Sequence, residues 1–245
     1  MAKKRSTQFV SLLGALNRRY PELDDAEAAI VGKAIVVDGA VVVNPRSRVR
    51  QDAVIKVVEP KALRGARKLA AALDHFAVPV EGRVAVDLGA AAGGFTGVLI
   101  QRGASVVYAV DAGHGQLLGS LRQHPRVRNL ERTNLAQLST ENVPDDVDIV
   151  TMDLSYLSIA DAIGQLGELS FAENAELIAL VKPMFELGLG ELPTELTQCA
   201  DAVALAADGV RRCQWEVLGS VRSPVTGSHG ATEFLLHAKR KAGDG

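Results

Sequence analysis

Cysteine is nearly absent: Cys199 and Cys213, fourteen residues apart with no second pair or histidine ligand spacing nearby, are the only two in 245 residues. That excludes a disulfide framework and a cysteine-built zinc site, and both are expected as small buried hydrophobes. Long apolar runs are missing too. Charges or glycines interrupt every one well short of the ~18 residues that a membrane-spanning helix needs, so neither an integral membrane protein nor a pore-forming one is expected. The start, Met1-Ala2-Lys3-Lys4-Arg5, is basic, but residues 6–16 are too short and mixed for a signal-peptide core and no small-residue cleavage site follows, so a cytoplasmic protein is expected. Aromatics make up only 4%, and the one tryptophan, Trp215, lies in an apolar strand, where a core role is expected rather than base stacking.

Neither sign of charge dominates, the formal net charge being −2. The distribution is uneven, however. Residues 1–60 hold ten Lys/Arg against seven Asp/Glu, a balance of +3 that leaves −5 for the remainder, so attraction for phosphate belongs to the front of the chain. Arg18, Arg19, Lys33, Arg46, Arg48 and Arg50 are the candidate phosphate contacts there, provided that they share a face.

What is present, 47% hydrophobic and 23% charged residues, suffices for one large or two unequal domains. In the front part, Asp24-Asp25 suit the N-cap of a helix over 26–31 that Gly32 stops. Two β-branched runs, 35–37 and 41–43, are joined through Asp38-Gly39, a hairpin signal, and Asn44-Pro45 marks the next turn. After a linker over 59–64 the pattern alternates. Helices are expected over 65–76, 94–102, 116–123, 159–169 and 195–211, and strands over 84–87, 106–110, 127–131, 148–153, 176–181, 215–221 and 233–238. This is the order of a doubly wound, mainly parallel seven-stranded sheet. The last two strands have no helix between them, which predicts an antiparallel pair with one antiparallel edge strand. Residues 241–245 are a tail.

Chemistry collects where strands end. Residues 84–96 read as a strand, a small-residue turn and a helix start, a place where a ligand lies against backbone and helix N-terminus, although the turn also has a purely structural reading. Asp111 ends the next strand, 24 residues after Asp87, where a carboxylate can accept hydrogen bonds from ribose hydroxyls. Asp153 and Lys182 end apolar strands and Glu233 opens the last one. Singly each is equally well a charge capping a strand, but parallel neighbours and a reversed last strand bring all three to one edge, where such sheets bind ligands.

Asp87-Leu88-Gly89-Ala90-Ala91-Ala92-Gly93-Gly94-Phe95-Thr96, Tyr108-Ala109-Val110-Asp111, Gly115-Gln116-Leu117 and Glu131-Arg132-Thr133-Asn134 closely resemble the TlyA (haemolysin A-like) ribosomal RNA 2′-O-methyltransferases of the FtsJ/RrmJ-like class. Arg64-Gly65-Ala66-Arg67-Lys68-Leu69, residues 152–158, Lys182-Pro183-Met184-Phe185-Glu186 and residues 227–234 continue the match in order. The resemblance implies a Rossmann-like class I methyltransferase domain over 65–240. It also implies S-adenosylmethionine as methyl donor, S-adenosylhomocysteine as product, no metal, and RNA, free or in a ribosomal subunit, as partner. Residues 1–58 are similar to the small α+β RNA-binding domain of ribosomal protein S-four, carried by Gly32-Lys33, Val37-Asp38-Gly39, Asn44-Pro45 and Val49-Arg50-Gln51-Asp52.

By the same resemblance the catalytic set is Lys68, Asp153, Lys182 and Glu233. Lys182 would polarise or deprotonate the 2′-hydroxyl, Asp153 and Glu233 orient it, and Lys68 position the ribose or its phosphate. The cofactor site would comprise Asp87, Gly89, Ala90, Ala91, Gly93, Gly94, Phe95, Thr96, Asp111, Ala112, Asn134 and Leu135. Arg64 and Arg67 join the candidate RNA contacts. The chain departs from the family pattern at Ala91-Ala92, where Ser-Thr is usual, at Ala66, His114 and Met184, and in the loop 187–193, which lacks a usual basic residue. The departures at Ala91-Ala92 and in the loop 187–193 carry the alternative reading, a non-catalytic or weakly active RNA-binding paralogue.

Overall fold

The computed structural model describes residues 8–21, 23, 26–31, 33–58, 61–193 and 196–241, and the chain divides into two compact units, residues 1–61 and 62–245. The expected cap Asp24-Asp25, the stop at Gly32, linker residues 59–60 and tail residues 242–245 lie outside the described residues.

The first unit runs β1 (Phe9–Ser11), α1 (Leu12–Arg19), α2 (Ala26–Val31), β2 (Ile35–Val37), β3 (Ala40–Val41), β4 (Arg48–Arg50) and β5 (Ile55–Val57). Ser11 caps α1 by accepting from the Gly14 N–H. Leu12, Ala15 and Leu16, at helical spacing, pack with Ile30, Ile35, Val49 and Ile55. The expected hairpin forms because Asp38 and Gly39 both take positive φ (48° and 88°), as a tight two-residue turn requires. Strand β3 stops at Val41, two residues short of the expected run. Strand β1 pairs antiparallel with β4, setting Phe9 opposite Arg50 and Ser11 opposite Arg48. Val49 is buried while Arg48, Arg50 and Phe9 are exposed, so one aromatic ring and two guanidinium groups share the outer face of this ribbon.

The second unit continues with α3 (Lys61–Phe76), β6 (Val84–Leu88), α4 (Gly94–Gln101), β7 (Val106–Asp111), α5 (Gly119–Arg122), β8 (Val127–Glu131), β9 (Val147–Met152), α6 (Ile159–Gly164), β10 (Phe171–Val181), α7 (Pro183–Glu186), α8 (Leu196–Arg212), β11 (Trp215–Arg222) and β12 (Phe234–Arg240). Its seven strands lie in the order β11-β12-β10-β9-β6-β7-β8. The five from β10 to β8 are parallel, and β12 is antiparallel to both neighbours. The reversed strand is therefore second from the edge, not the edge strand expected from the sequence. The crossover through α8 skips one position, and the short return after β11 drops β12 into the gap.

Strand alternation builds a three-layer unit. Val86, Val150, Leu177, Ala179 and Leu236 face α6 and α8, whereas Ala85, Ile149, Ile178, Leu180 and Leu235 face α3 and α4. Trp215 is buried in the first of these layers, and Cys199 is buried but Cys213 only half-buried. Helix α3 begins at Lys61, so residues 61–64 are helical rather than linker. The helix expected over 159–169 stops at Gly164, with Gly167 soon after. Among the described residues no helix is long and apolar enough to cross a membrane, and no group of three or more His, Cys, Asp or Glu is placed to hold a metal ion.

Candidate active site

The turn after β6 is shaped by close backbone approach. Gly89 adopts φ +82°, and a Cβ there would sit 2.5 Å from the carbonyl oxygen of Asp153. Only glycine brings the ends of β6 and β9 this near. Gly89 and Ala90 both donate to the Val110 carbonyl (2.9 and 3.0 Å), drawing β7 alongside. At the end of β7 the Asp111 carboxylate accepts from the Ala91 N–H (2.8 Å) and the Gly113 N–H (2.6 Å). A carboxylate offers about four acceptor positions, so about two remain for ligand hydroxyls.

Glu131 at the end of β8 shapes the other wall. It accepts from the Gln116 and Leu117 N–H groups (2.8 and 3.2 Å) and lies beside Arg122 and His114. Leu118 takes a non-helical backbone (φ −54°, ψ 137°) as the N-cap, so α5 spans only Gly119–Arg122 instead of the expected 116–123. Desolvation alone would push the Glu131 carboxyl up, but hydrogen bonds from Leu117, Asn129, Gly115 and Gln116 outweigh it and hold the pKa at about 2. A depressed carboxyl contributes stability above its unfolded pKa and loses it as pH falls through the folded value. The stability difference between the natural protein and Glu131→Gln should therefore shrink as pH falls from about 4.5 towards 2, in thermal unfolding curves of both recorded at matched pH. A constant difference would show that Glu131 does not anchor the loop through its charge.

At the carboxyl end of the sheet two ion pairs stand together. Alternation carries Asp153, Lys182 and Glu233 onto the face covered by α3, and the register of β10 with β12 sets Lys182 opposite Glu233. Pro183 at the first position of α7 holds Lys182 extended at the strand-to-helix junction. Its Nζ lies 2.5 Å from Asp153 Oδ1 and donates to Ser155 Oγ at 2.8 Å. From α3 the buried Lys68 Nζ lies 2.5 Å from Glu233 Oε2. The Lys68–Glu233 side chains are 9% and 6% exposed, against 14% and 27% for Lys182–Asp153. One pair is thus sealed and the other is open to an incoming ligand.

Residues 62–240 match the family described as FtsJ-like methyltransferase. The chain belongs to this family. It is 38% identical over 219 residues to the 16S/23S rRNA (cytidine-2'-O)-methyltransferase TlyA of Mycobacterium tuberculosis, covering 85% of this chain and 81% of that one. It is 29% identical over 223 residues to hemolysin A of Brachyspira hyodysenteriae, covering 86% and 91%. A solved structure described as a candidate hemolysin from Streptococcus thermophilus superposes with a TM-score of 0.71 at 26% identity, over 96% of this chain and 90% of that one.

Within this FtsJ-like domain the expected site residues separate. Gly89, Ala91, Gly93, Gly94, Asp111 and Ala112 line or support the open turn, with Ala90 buried beneath it. Asp87 and Thr96 are fully buried, the Asp87 carboxylate accepting from the hydroxyls of Thr96 (2.6 Å) and Thr151 (2.9 Å). Burial pushes the Asp87 carboxyl up to about 6. Their side chains staple β6, β9 and α4 together. The side chains of Phe95 and Leu135 belong to the cores, whereas Asn134 is exposed, its N–H donating to the Gln137 side chain at the start of the short turn over 135–137.

The candidate RNA contacts separate as well. Arg19 donates to the Ala53 and Gln51 carbonyls (2.6 and 2.7 Å), and Arg64 clamps the carbonyls of Thr226 and Gly227 (2.5 and 3.1 Å) in the loop that leads to Glu233. Both make structural ties, and Arg19 is exposed as well. Arg50 pairs with Asp52 and Arg48 touches the Phe9 carbonyl, yet both stay exposed, as do Arg18, Lys33, Arg46 and Arg67.

Three residues of the FtsJ-like site escaped sequence reasoning. Ser155 touches Lys182. Tyr156, next in the chain to Ser155, is 56% exposed, and its hydroxyl pKa is pushed up first by desolvation and then by the charge of Asp111. Glu186, buried one helical turn after Lys182, accepts from the Ile159 N–H (3.0 Å), and burial pushes its carboxyl up to about 7. Each lies inside a tract that carried the resemblance, and Glu186 is signalled by its spacing of four from Lys182.

Proposed function

We propose that the protein transfers the methyl group of S-adenosylmethionine to a ribose 2′-hydroxyl of ribosomal RNA in the cytoplasm. The observation that carries this reading is the open Lys182–Asp153 pair beside the turn after β6, with the sealed Lys68–Glu233 pair behind it. The name of the Mycobacterium tuberculosis relative supplies the substrate class.

The residues of the turn fit such a cofactor. The small side chains of Ala91 and Ala112 leave the backbone open, and Asp111 keeps acceptor capacity for ribose hydroxyls. S-adenosylmethionine supplies, when bound, an electrophilic methyl on a sulfonium. A ribose 2′-hydroxyl is a weak nucleophile, so the protein must take its proton as it attacks. Lys182 in its neutral form accepts that proton at Nζ, and Asp153 stabilises the ammonium that results. Glu233, held by Lys68 behind the open pair, supports the site by its charge rather than by touching the ribose. Tyr156 offers a flat face on which a splayed-out base can stack.

The unit before the methyltransferase domain is assigned to RNA binding, because Phe9, Arg48 and Arg50 interleave an aromatic ring with cations on one exposed face. Incubation with labelled S-adenosylmethionine and ribosomal subunits, followed by nucleotide mapping, should find the label on ribose 2′-oxygens. Label found only on bases or on protein would refute the reading. Calorimetry with S-adenosylmethionine and S-adenosylhomocysteine tests the alternative, since an RNA-binding paralogue without turnover would bind RNA but neither ligand.

A further inference from the structure

We infer that Ser155 is a positioning residue that fixes the direction of Lys182 Nζ. The inference rests on the role of Lys182 proposed above. An amino group at the end of a four-carbon chain rotates freely unless it is held, and one ion pair leaves it free to swing about that contact. Here two contacts hold it, Asp153 Oδ1 at 2.5 Å and Ser155 Oγ at 2.8 Å. Two of the three tetrahedral directions of Nζ are taken, and the third is the one left for the substrate hydroxyl.

Ser155 can do this because its segment is pinned at both ends. The Asp153 N–H donates to the Leu88 carbonyl (3.0 Å), Ser158 caps α6 by accepting from the Asp161 N–H (3.1 Å), and the Ile159 N–H is held by Glu186. Glu186 lies on α7, which starts directly after Lys182, so the segment bearing Ser155 and the helix behind Lys182 are tied to each other. The charged groups around Lys182 are Asp153 at the end of β9, with Asp87 of β6 near enough to feel its charge, Glu233 opposite on β12 with Lys68 from α3, and Glu186 on α7. Ser155 adds no charge to them and supplies direction.

The test is steady-state methylation of ribosomal subunits by Ser155→Ala, Ser155→Thr and Lys182→Ala across a pH series. Ser155→Ala should lower kcat about tenfold or more, the worth of one hydrogen bond to a charged group, with KM for S-adenosylmethionine unchanged. Losing an acceptor from the ammonium favours the neutral amine, so the rising limb of the kcat profile should move to lower pH. Ser155→Thr, which keeps the hydroxyl, should restore both. Wild-type kcat and an unshifted profile in Ser155→Ala, with Lys182→Ala inactive, would overturn the role of Ser155 alone. Equal losses in the Ala and Thr variants with a raised KM for RNA and an unshifted profile would overturn it too, by making Ser155 an RNA contact. Turnover surviving in Lys182→Ala would remove the reading on which the inference stands.

Discussion

Replacing Lys182 by alanine is expected to abolish methyl transfer while leaving cofactor and RNA binding in place. A positioned general base is worth roughly 10²–10⁴ in rate, and the loss should fall in kcat rather than in KM. Lys182 is the cleaner of the two lysines to remove. Its side chain is partly open, so the Asp153 carboxylate it leaves behind can be solvated, whereas removing Lys68 would strand Glu233 at 6% exposure. Breaking a buried pair in that way typically costs about 3–5 kcal/mol of stability and would confound the kinetics. Circular dichroism and a thermal midpoint close to that of the natural protein are the accompanying checks on Lys182→Ala. Wild-type turnover in the folded variant would mean that another group takes the proton.

Deleting residues 1–58 should separate the two halves of the activity. The second unit has its own two-sided core and begins its first helix at Lys61, so the remainder should fold and bind S-adenosylmethionine nearly as the whole chain does. RNA methylation should be lost, because the exposed Phe9, Arg48 and Arg50 go with the deleted part. A tethered module raises the effective concentration of its neighbour's substrate, and gains of roughly 10²–10⁴ from that effect alone are usual. The assignment predicts a loss of that order in kcat/KM for RNA, with a reduced salt dependence of binding. Methylation by the truncated protein at the full chain's rate would show that the catalytic unit finds its RNA unaided.

The fold was legible in the sequence wherever one element obeyed one rule. Strands of continuous Val, Ile and Leu, buried on both faces, announced β6, β9 and β10 because a parallel sheet covered by helices admits little else. Asp38-Gly39 announced its hairpin through backbone geometry. Helix α1 was missed although its signals were present, with Ser11 as cap and Leu12, Ala15 and Leu16 at helical spacing. The place of β12 was not legible, since an antiparallel neighbour to β11 can lie on either side of it until β10 is known to accept it. In the site, Asp153, Lys182 and Glu233 declared themselves as charges at the ends of apolar strands. Asp87 looked the same but is a buried staple, because alternation turned it towards Thr96 and Thr151. Ser155 and Glu186 escaped for the opposite reason: their roles depend on distances across two loops that sequence order does not encode.

The insertion of β12 between β10 and β11 bears on the order in which the protein folds. The front unit is complete by Val57, but the large sheet cannot close until residues up to Arg240 are available, because β11 has no partner in it other than β12. Glu233, the counter-charge of Lys68, arrives with that last strand. The long-range pairings that finish the catalytic edge thus form after the local ones of the front unit. A partly folded chain in which β12 has not yet paired therefore lacks the counter-charge of Lys68, so the catalytic edge is assembled in one step with the closure of the sheet.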